Sequence, residues 1–179
     1  MPNTSNPSPL SFTTADLPLG GKAIASVLGD FNGDGNLDLG VPLRNALSKN
    51  LAVFLGNGNG GFSDALLSES GGSSAVAIVA KDWNGDGKMD VAIANRNSNR
   101  VSIQLGNGDG TFSTGKALTV GNQPNAIAAG DLNGDGKSDL VVANFGETSV
   151  SILLSQGNGD FQSSSVTVGD KLQPYSVSL

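Results

Sequence analysis

The sequence predicts an all-β fold built from four-stranded antiparallel β-propeller blades, and three observations predict it. The loop Asp-x-Asn-Gly-Asp-Gly-x-x-Asp occurs at residues 30–38, 82–90 and 131–139, with starts 52 and 49 residues apart. Each loop is followed by a short apolar run and then by a segment whose apolar residues recur at every second position on one face, the period-two signature of strands. A Gly/Asn-rich turn and a Phe then close each repeat. Self-similarity of four short strands at this period is the mark of propeller blades.

The elements follow in order. Before each loop lie small apolar residues: Ala23 to Val27, Ala75 to Val79 and Ala126 to Ala129. Small side chains suit the crowded inner strand of a radial assembly. After each loop come Leu39-Gly40-Val41, Val91 to Ala94 and Leu140 to Ala143 as second strands. Third strands alternate through Leu51, Val53, Leu55; Val101, Ile103, Leu105; and Val150, Ile152, Leu154. Turns such as Gly106-Asn107-Gly108-Asp109-Gly110 close hairpins because glycine and asparagine accept positive φ. Phe62, Phe112 and Phe161 each stand seven residues past the last alternating Leu, as packing anchors between sheets.

This register divides the chain into a flexible tail at 1–10 and a propeller segment at 11–179. Repeats fall at about 23–73, 74–124 and 125–173, with a final inner strand at 174–179. Phe12 lies 18 residues before Asp30, so Ser11 to Leu17 reads as a stray fourth strand. The expectation is three full blades plus one stray strand at each end, a partial propeller or one completed by oligomerisation.

The loops carry the chemistry. Positions 1, 3, 5 and 9 offer hard oxygen ligands, position 7 offers a backbone carbonyl, and glycines at 4 and 6 permit a tight curl. Three Ca2+ sites are expected. The first uses Asp30, Asn32, Asp34 and Asp38 with the Asn36 carbonyl. The second uses Asp82, Asn84, Asp86 and Asp90 with the Lys88 carbonyl. The third uses Asp131, Asn133, Asp135 and Asp139 with the Lys137 carbonyl. The Lys88 and Lys137 side chains should point away from the ions. Position 2 is apolar each time, as Phe31, Trp83 and Leu132, and should pack into the blade. Helical calcium motifs are excluded, because position 12 is Val41, Ile93 or Val142 within strands rather than an acid. Mg2+ fits less well, since it dehydrates reluctantly.

Nine of the sixteen acids lie in these loops, so three divalent ions would neutralise the formal charge of -6. Ten scattered Lys and Arg form no basic stripe, and no nucleic-acid partner is expected. The chain has no Cys and no His, which removes disulfides, thiolate nucleophiles and histidine bases. No apolar run reaches the length of a membrane span. Met1 to Pro9 lacks the charged and apolar parts of a signal peptide, so secretion would need another route or a signal outside this sequence. Asp64, Glu69, Asp109, Glu147, Asp160 and Asp170 recur in no pattern and read as solvated. No catalytic set is visible, and the chain is not expected to be an enzyme.

The loops, the strand segments Leu140 to Asn144 and Ser149 to Leu154, and the hairpin Leu105 to Phe112 together resemble the FG-GAP or VCBS-type repeat. That is the calcium-loop repeat of integrin α-chain propellers and of many bacterial surface and secreted proteins. The resemblance covers about residues 11–179. It implies a propeller, commonly seven-bladed, with Ca2+ bound between the first and second strands of a blade. It also implies an extracellular or cell-surface setting. Three loops are fewer than such a ring holds, so self-association or membership of a longer chain is expected. The function implied is a Ca2+-stabilised module for adhesion or protein binding. The alternative is a carbohydrate-binding propeller, for which Trp83 and Tyr175 are the stacking candidates. The ligand, protein or glycan, lies in the variable loops and is not legible.

Overall fold

The computed structural model describes residues 21–44, 49–169 and 172–179. The expected tail at 1–10 and the stray strand with Phe12 lie outside them, as does Asp170. The described chain is all-β and forms three antiparallel blades of a partial propeller.

The first blade holds β1 (Lys22–Ala23), β2 (Val27–Gly29), β3 (Asp38–Arg44), β4 (Leu51–Phe54) and β5 (Leu66–Ser68). The second holds β6 (Ala75–Lys81), β7 (Asp90–Asn95), β8 (Arg100–Gly106) and β9 (Phe112–Thr119). The third holds β10 (Pro124–Gly130), β11 (Asp139–Asn144), β12 (Ser149–Ser155) and β13 (Phe161–Thr167). In the second and third blades the strands pair in chain order, and in the first β1 and β2 both pair with β3, followed by β4 and β5.

The second strand is buried on both faces, which explains its unbroken apolar run. Along β7, Val91 and Ile93 face the first blade with Phe31, Leu51 and Val53. Ala92 and Ala94 face the third blade with Trp83, Ile127, Leu140 and Val142. Strand side chains alternate between faces, so one strand serves two inter-blade cores.

The inner strand of the first blade differs from expectation. It is split into β1 and β2, which pair with β3 at Ala23–Leu43 and Val27–Gly40. Ile24 to Ser26 pair with nothing. The other blades carry the same one-residue excess as a bulge between Ala75 and Ala77, or between Pro124 and Ala126, without losing the strand. The difference lies opposite Ala25, where the second strand carries Pro42. Proline has no N–H to give to a ladder, and the corresponding residues elsewhere are Ala94 and Ala143.

The inner strand expected at 174–179 is also corrected. Residues 172–179 join no strand, although they run beside β10. Asn125 Nδ2 donates to the Tyr175 carbonyl at 2.9 Å, and Leu179 packs over Gly130. Inner strands β6 and β10 are held by the second strands β7 and β11. Among the described residues, no second strand lies beside 172–179.

Candidate functional site

The three Asp/Asn loops join inner to second strands at one end of the blades. Each begins with a carboxylate around which the chain curls. Gly33 N and Gly35 N donate to Asp30 Oδ1 and Oδ2 at 2.7 and 2.9 Å. Gly85 and Gly87 do the same to Asp82, and Gly134 and Gly136 to Asp131, at the same distances. The glycines at positions 4 and 6 have φ between 76° and 85° in all three loops, a region that side chains disfavour. Positions 3 and 5 are tied together. Asn32 Oδ1 accepts from Asp34 N, and Asn32 Nδ2 donates to Asp34 Oδ2; Asn84 and Asp86 repeat both bonds. In the third loop Asn133 Oδ1 accepts from Asp135 N. Position 5 then accepts from the N–H of position 7, at Asn36, Lys88 and Lys137.

Position 9 has a role that sequence reasoning missed. Asp38, Asp90 and Asp139 are fully buried. One oxygen of each accepts the N–H of position 2, from Phe31, Trp83 or Leu132, at 2.8–2.9 Å. The other accepts the N–H of Gly56, Gly106 or Ser155 at the end of the third strand, at 2.8 Å. This aspartate is therefore a clasp that closes the loop and ties it to its own hairpin. The signal was present as an Asp at the mouth of an otherwise apolar strand.

The electrostatics separate the positions. Burial pushes the Asp90 carboxyl above its usual range, against the lowering effect of its Gly106 and Trp83 amide bonds, and repulsion from Asp86 and Asp82 adds to the rise. Asp34 and Asp86 are lowered, chiefly by the backbone N–H of Asn36 and Lys88. Asp131 is lowered, chiefly by the Gly136 N–H.

Among the described residues, no three His, Cys, Asp or Glu side chains form a group that could hold a metal ion by themselves. The donor set of each loop is broader than that. It comprises carboxylates at 1, 5 and 9, the amide oxygen at 3 and the carbonyl at 7, all hard oxygens, and such a set suits Ca2+.

Several expectations are corrected. Lys137 does not point away: its Nζ lies 3.6 Å from Asp135 Oδ2, and its stem lies over Gly157 of the hairpin. Two of the acids read as solvated keep solvent while gaining local partners: Asp109 is exposed and bonded by Thr111 Oγ1 and N at 2.6 and 2.9 Å, which lowers its pKa, and Asp160 pairs with Lys116 at the surface. Glu147 is half-buried and accepts from Ser149 Oγ. At position 2, Phe31 and Trp83 are 2% exposed but Leu132 is 40% exposed. Phe112 meets Phe31 edge-on at 5.7 Å and Phe161 packs with the Trp83 core, whereas Phe62 is 51% exposed. Phe62 and Leu132 face outward from the first and third blades, where no neighbouring blade stands among the described residues.

Comparison with known proteins agrees with this architecture. A family model described as FG-GAP-like repeat matches residues 44–93, 82–142 and 131–179. No curated protein matches. A solved structure of a Lactobacillus plantarum protein aligns with a TM-score of 0.57 at 14% identity, over 82% of this chain and 42% of that one. The Photorhabdus luminescens Tc holotoxin pore aligns at 0.46 and 19% identity, over 83% of this chain and 7% of that one. The chain thus spans less than half the length of either.

Proposed function

The chain belongs to the FG-GAP-like repeat family, and from that premise we propose a Ca2+-stabilised propeller module for protein binding or adhesion, working at the cell surface or outside the cell. The observation that carries this reading is the threefold recurrence of an all-oxygen donor loop at one end of the blades. Asp30, Asn32, Asp34 and Asp38 with the Asn36 carbonyl would hold the first ion, and the matching residues of the other loops would hold the second and third. Bound there, Ca2+ supplies charge neutralisation and cross-links the loop. The chain's own part is to fix the loop in the curled form. The carbohydrate-binding alternative is weakened, because the buried Trp83 gives a sugar no face on which to stack. Tyr175 remains exposed.

Calcium is expected to raise the melting temperature. Binding only to the folded state adds RT ln(1 + [L]/Kd) per site, and with the roughly 10⁻⁴–10⁻³ M affinities of extracellular modules 1 mM Ca2+ adds about 0.4–1.4 kcal/mol per site. Millimolar Ca2+ against chelator in a thermal melt tests it, and superimposable curves would refute the reading. Calorimetric titration should find one ion fewer for Asp86→Ala and the wild-type number for Asp64→Ala, a change at an exposed acid outside the loops.

A further inference from the structure

Each loop in the first two blades is held from outside by the blade that follows. Gly110, in the hairpin between β8 and β9, donates its N–H to the Phe31 carbonyl at 3.0 Å. Gly159, in the hairpin between β12 and β13, donates to the Trp83 carbonyl at 2.9 Å. Both glycines sit at positive φ, 83° and 78°. The aromatic residue two places on, Phe112 or Phe161, packs onto the same position-2 residue or its core. Trp83 also donates from Nε1 to the Ser138 carbonyl of the third loop at 3.2 Å.

Position 2 is therefore pinned at both ends of its backbone. Its N–H goes to the clasp aspartate of its own loop, and its carbonyl goes to the neighbour's hairpin. That carbonyl belongs to the peptide plane leading into position 3, so its orientation sets where Asn32 or Asn84 presents its amide oxygen. Exposure follows the same division. Asp30, Asn32, Asp82 and Asn84 are half-buried, while Asp131 and Asn133 are exposed. No hairpin N–H among the described residues reaches the Leu132 carbonyl.

We propose that the hairpin of the following blade is a positioning element for the ion loop before it. Gly110 with Phe112 sets the Ca2+ affinity of the first loop, and Gly159 with Phe161 sets that of the second. The third loop, without such a partner among the described residues, binds most weakly. The physical basis is preorganisation: a loop already held in its bound shape loses less freedom when it takes a ligand. Linkage makes the coupling mutual, so an ion in the first loop strengthens the seating of the second blade on the first. The inference rests on the calcium reading above.

The test is a calorimetric Ca2+ titration of the full chain and of Phe112→Ala, Phe161→Ala and Phe62→Ala, each checked for folding by circular dichroism in chelator. Wild type should show two tighter sites and one weaker. Phe161→Ala should weaken one site about tenfold and spare the others, Phe112→Ala should weaken a different one, and Phe62→Ala should change none. Trp83 is the only tryptophan and touches both the second loop and, through Ser138, the third, so Tb3+ emission sensitised by it is read in an Asp135→Ala background, where it identifies the second site. That titration should shift for Phe161→Ala and not for Phe112→Ala. If Phe161→Ala is unfolded in chelator, Gly159→Ala replaces it, because an added Cβ there meets only Asn84 Cβ at 3.9 Å while the positive φ becomes strained. Three equal sites in wild type, uniform weakening of all sites, or an unmoved second site would overturn the inference while leaving the calcium reading intact. Absence of any Ca2+ binding would overturn both.

Discussion

Replacing Trp83 by alanine is expected to reduce unfolding free energy by about 3–5 kcal/mol. The ring is the largest fully buried side chain and fills the core between the second and third blades with Ile103, Ile127, Leu140 and Leu153. Truncation removes that apolar contact and leaves a cavity bounded by strands that hydrogen bonds hold apart, so collapse is limited. It also strips the Ser138 carbonyl of its indole donor. Urea denaturation followed by circular dichroism measures the change, the tryptophan signal being lost with the side chain. A loss below about 1 kcal/mol, the range of ordinary surface changes, would mean that the two blades do not stack through this residue.

The second large effect is expected at Asp90. Asp90→Ala leaves the Trp83 and Gly106 N–H groups buried without acceptors, at about 1–3 kcal/mol each. Relief of the carboxylate's own burial, the main cause of its raised pKa, offsets part of this. A net loss of about 2–4 kcal/mol follows. Asp90→Asn should fare little better, because its amide nitrogen would set a donor against one of two donors. The measurement belongs in chelator. There the clasp role predicts that Asp90→Ala destabilises while Asp86→Ala does not. Equal, small effects of both substitutions would reduce Asp90 to an ion ligand and remove the clasp.

Much of the architecture was legible because a propeller repeats short-range rules. Period-two alternation at Val101 and Ile103, glycine turns, and the loop spacing all act within a few residues. The apolar run Val91 to Ala94 signalled a strand covered on both faces. What was not legible depends on neighbours in space. Phe31, Trp83 and Leu132 occupy one motif position and have the same apolar character, yet only the first two are covered. The double role of Asp38, Asp90 and Asp139 was hidden because an aspartate that accepts two backbone amides and one that ligates an ion look alike in sequence. The inter-blade bonds of Gly110 and Gly159 are hidden because in sequence these glycines offer only turn chemistry. The break in the first inner strand did have a sequence signal in Pro42, opposite the gap.

That break has a consequence for motion. Ile24 to Ser26 lack ladder bonds, so the first blade keeps its inner edge through five paired residues in two separate pieces. Local opening follows the weakest cooperative unit and shows in amide hydrogen exchange. Amides of β1 and β2 should exchange first. Those of β7, enclosed by a blade on either side, should exchange last and report global unfolding. Exchange of β7 amides as fast as those of β2 would show that the three blades open together. On the expected ordering, the molecule unravels from its first blade inward, and the middle blade is the last to yield.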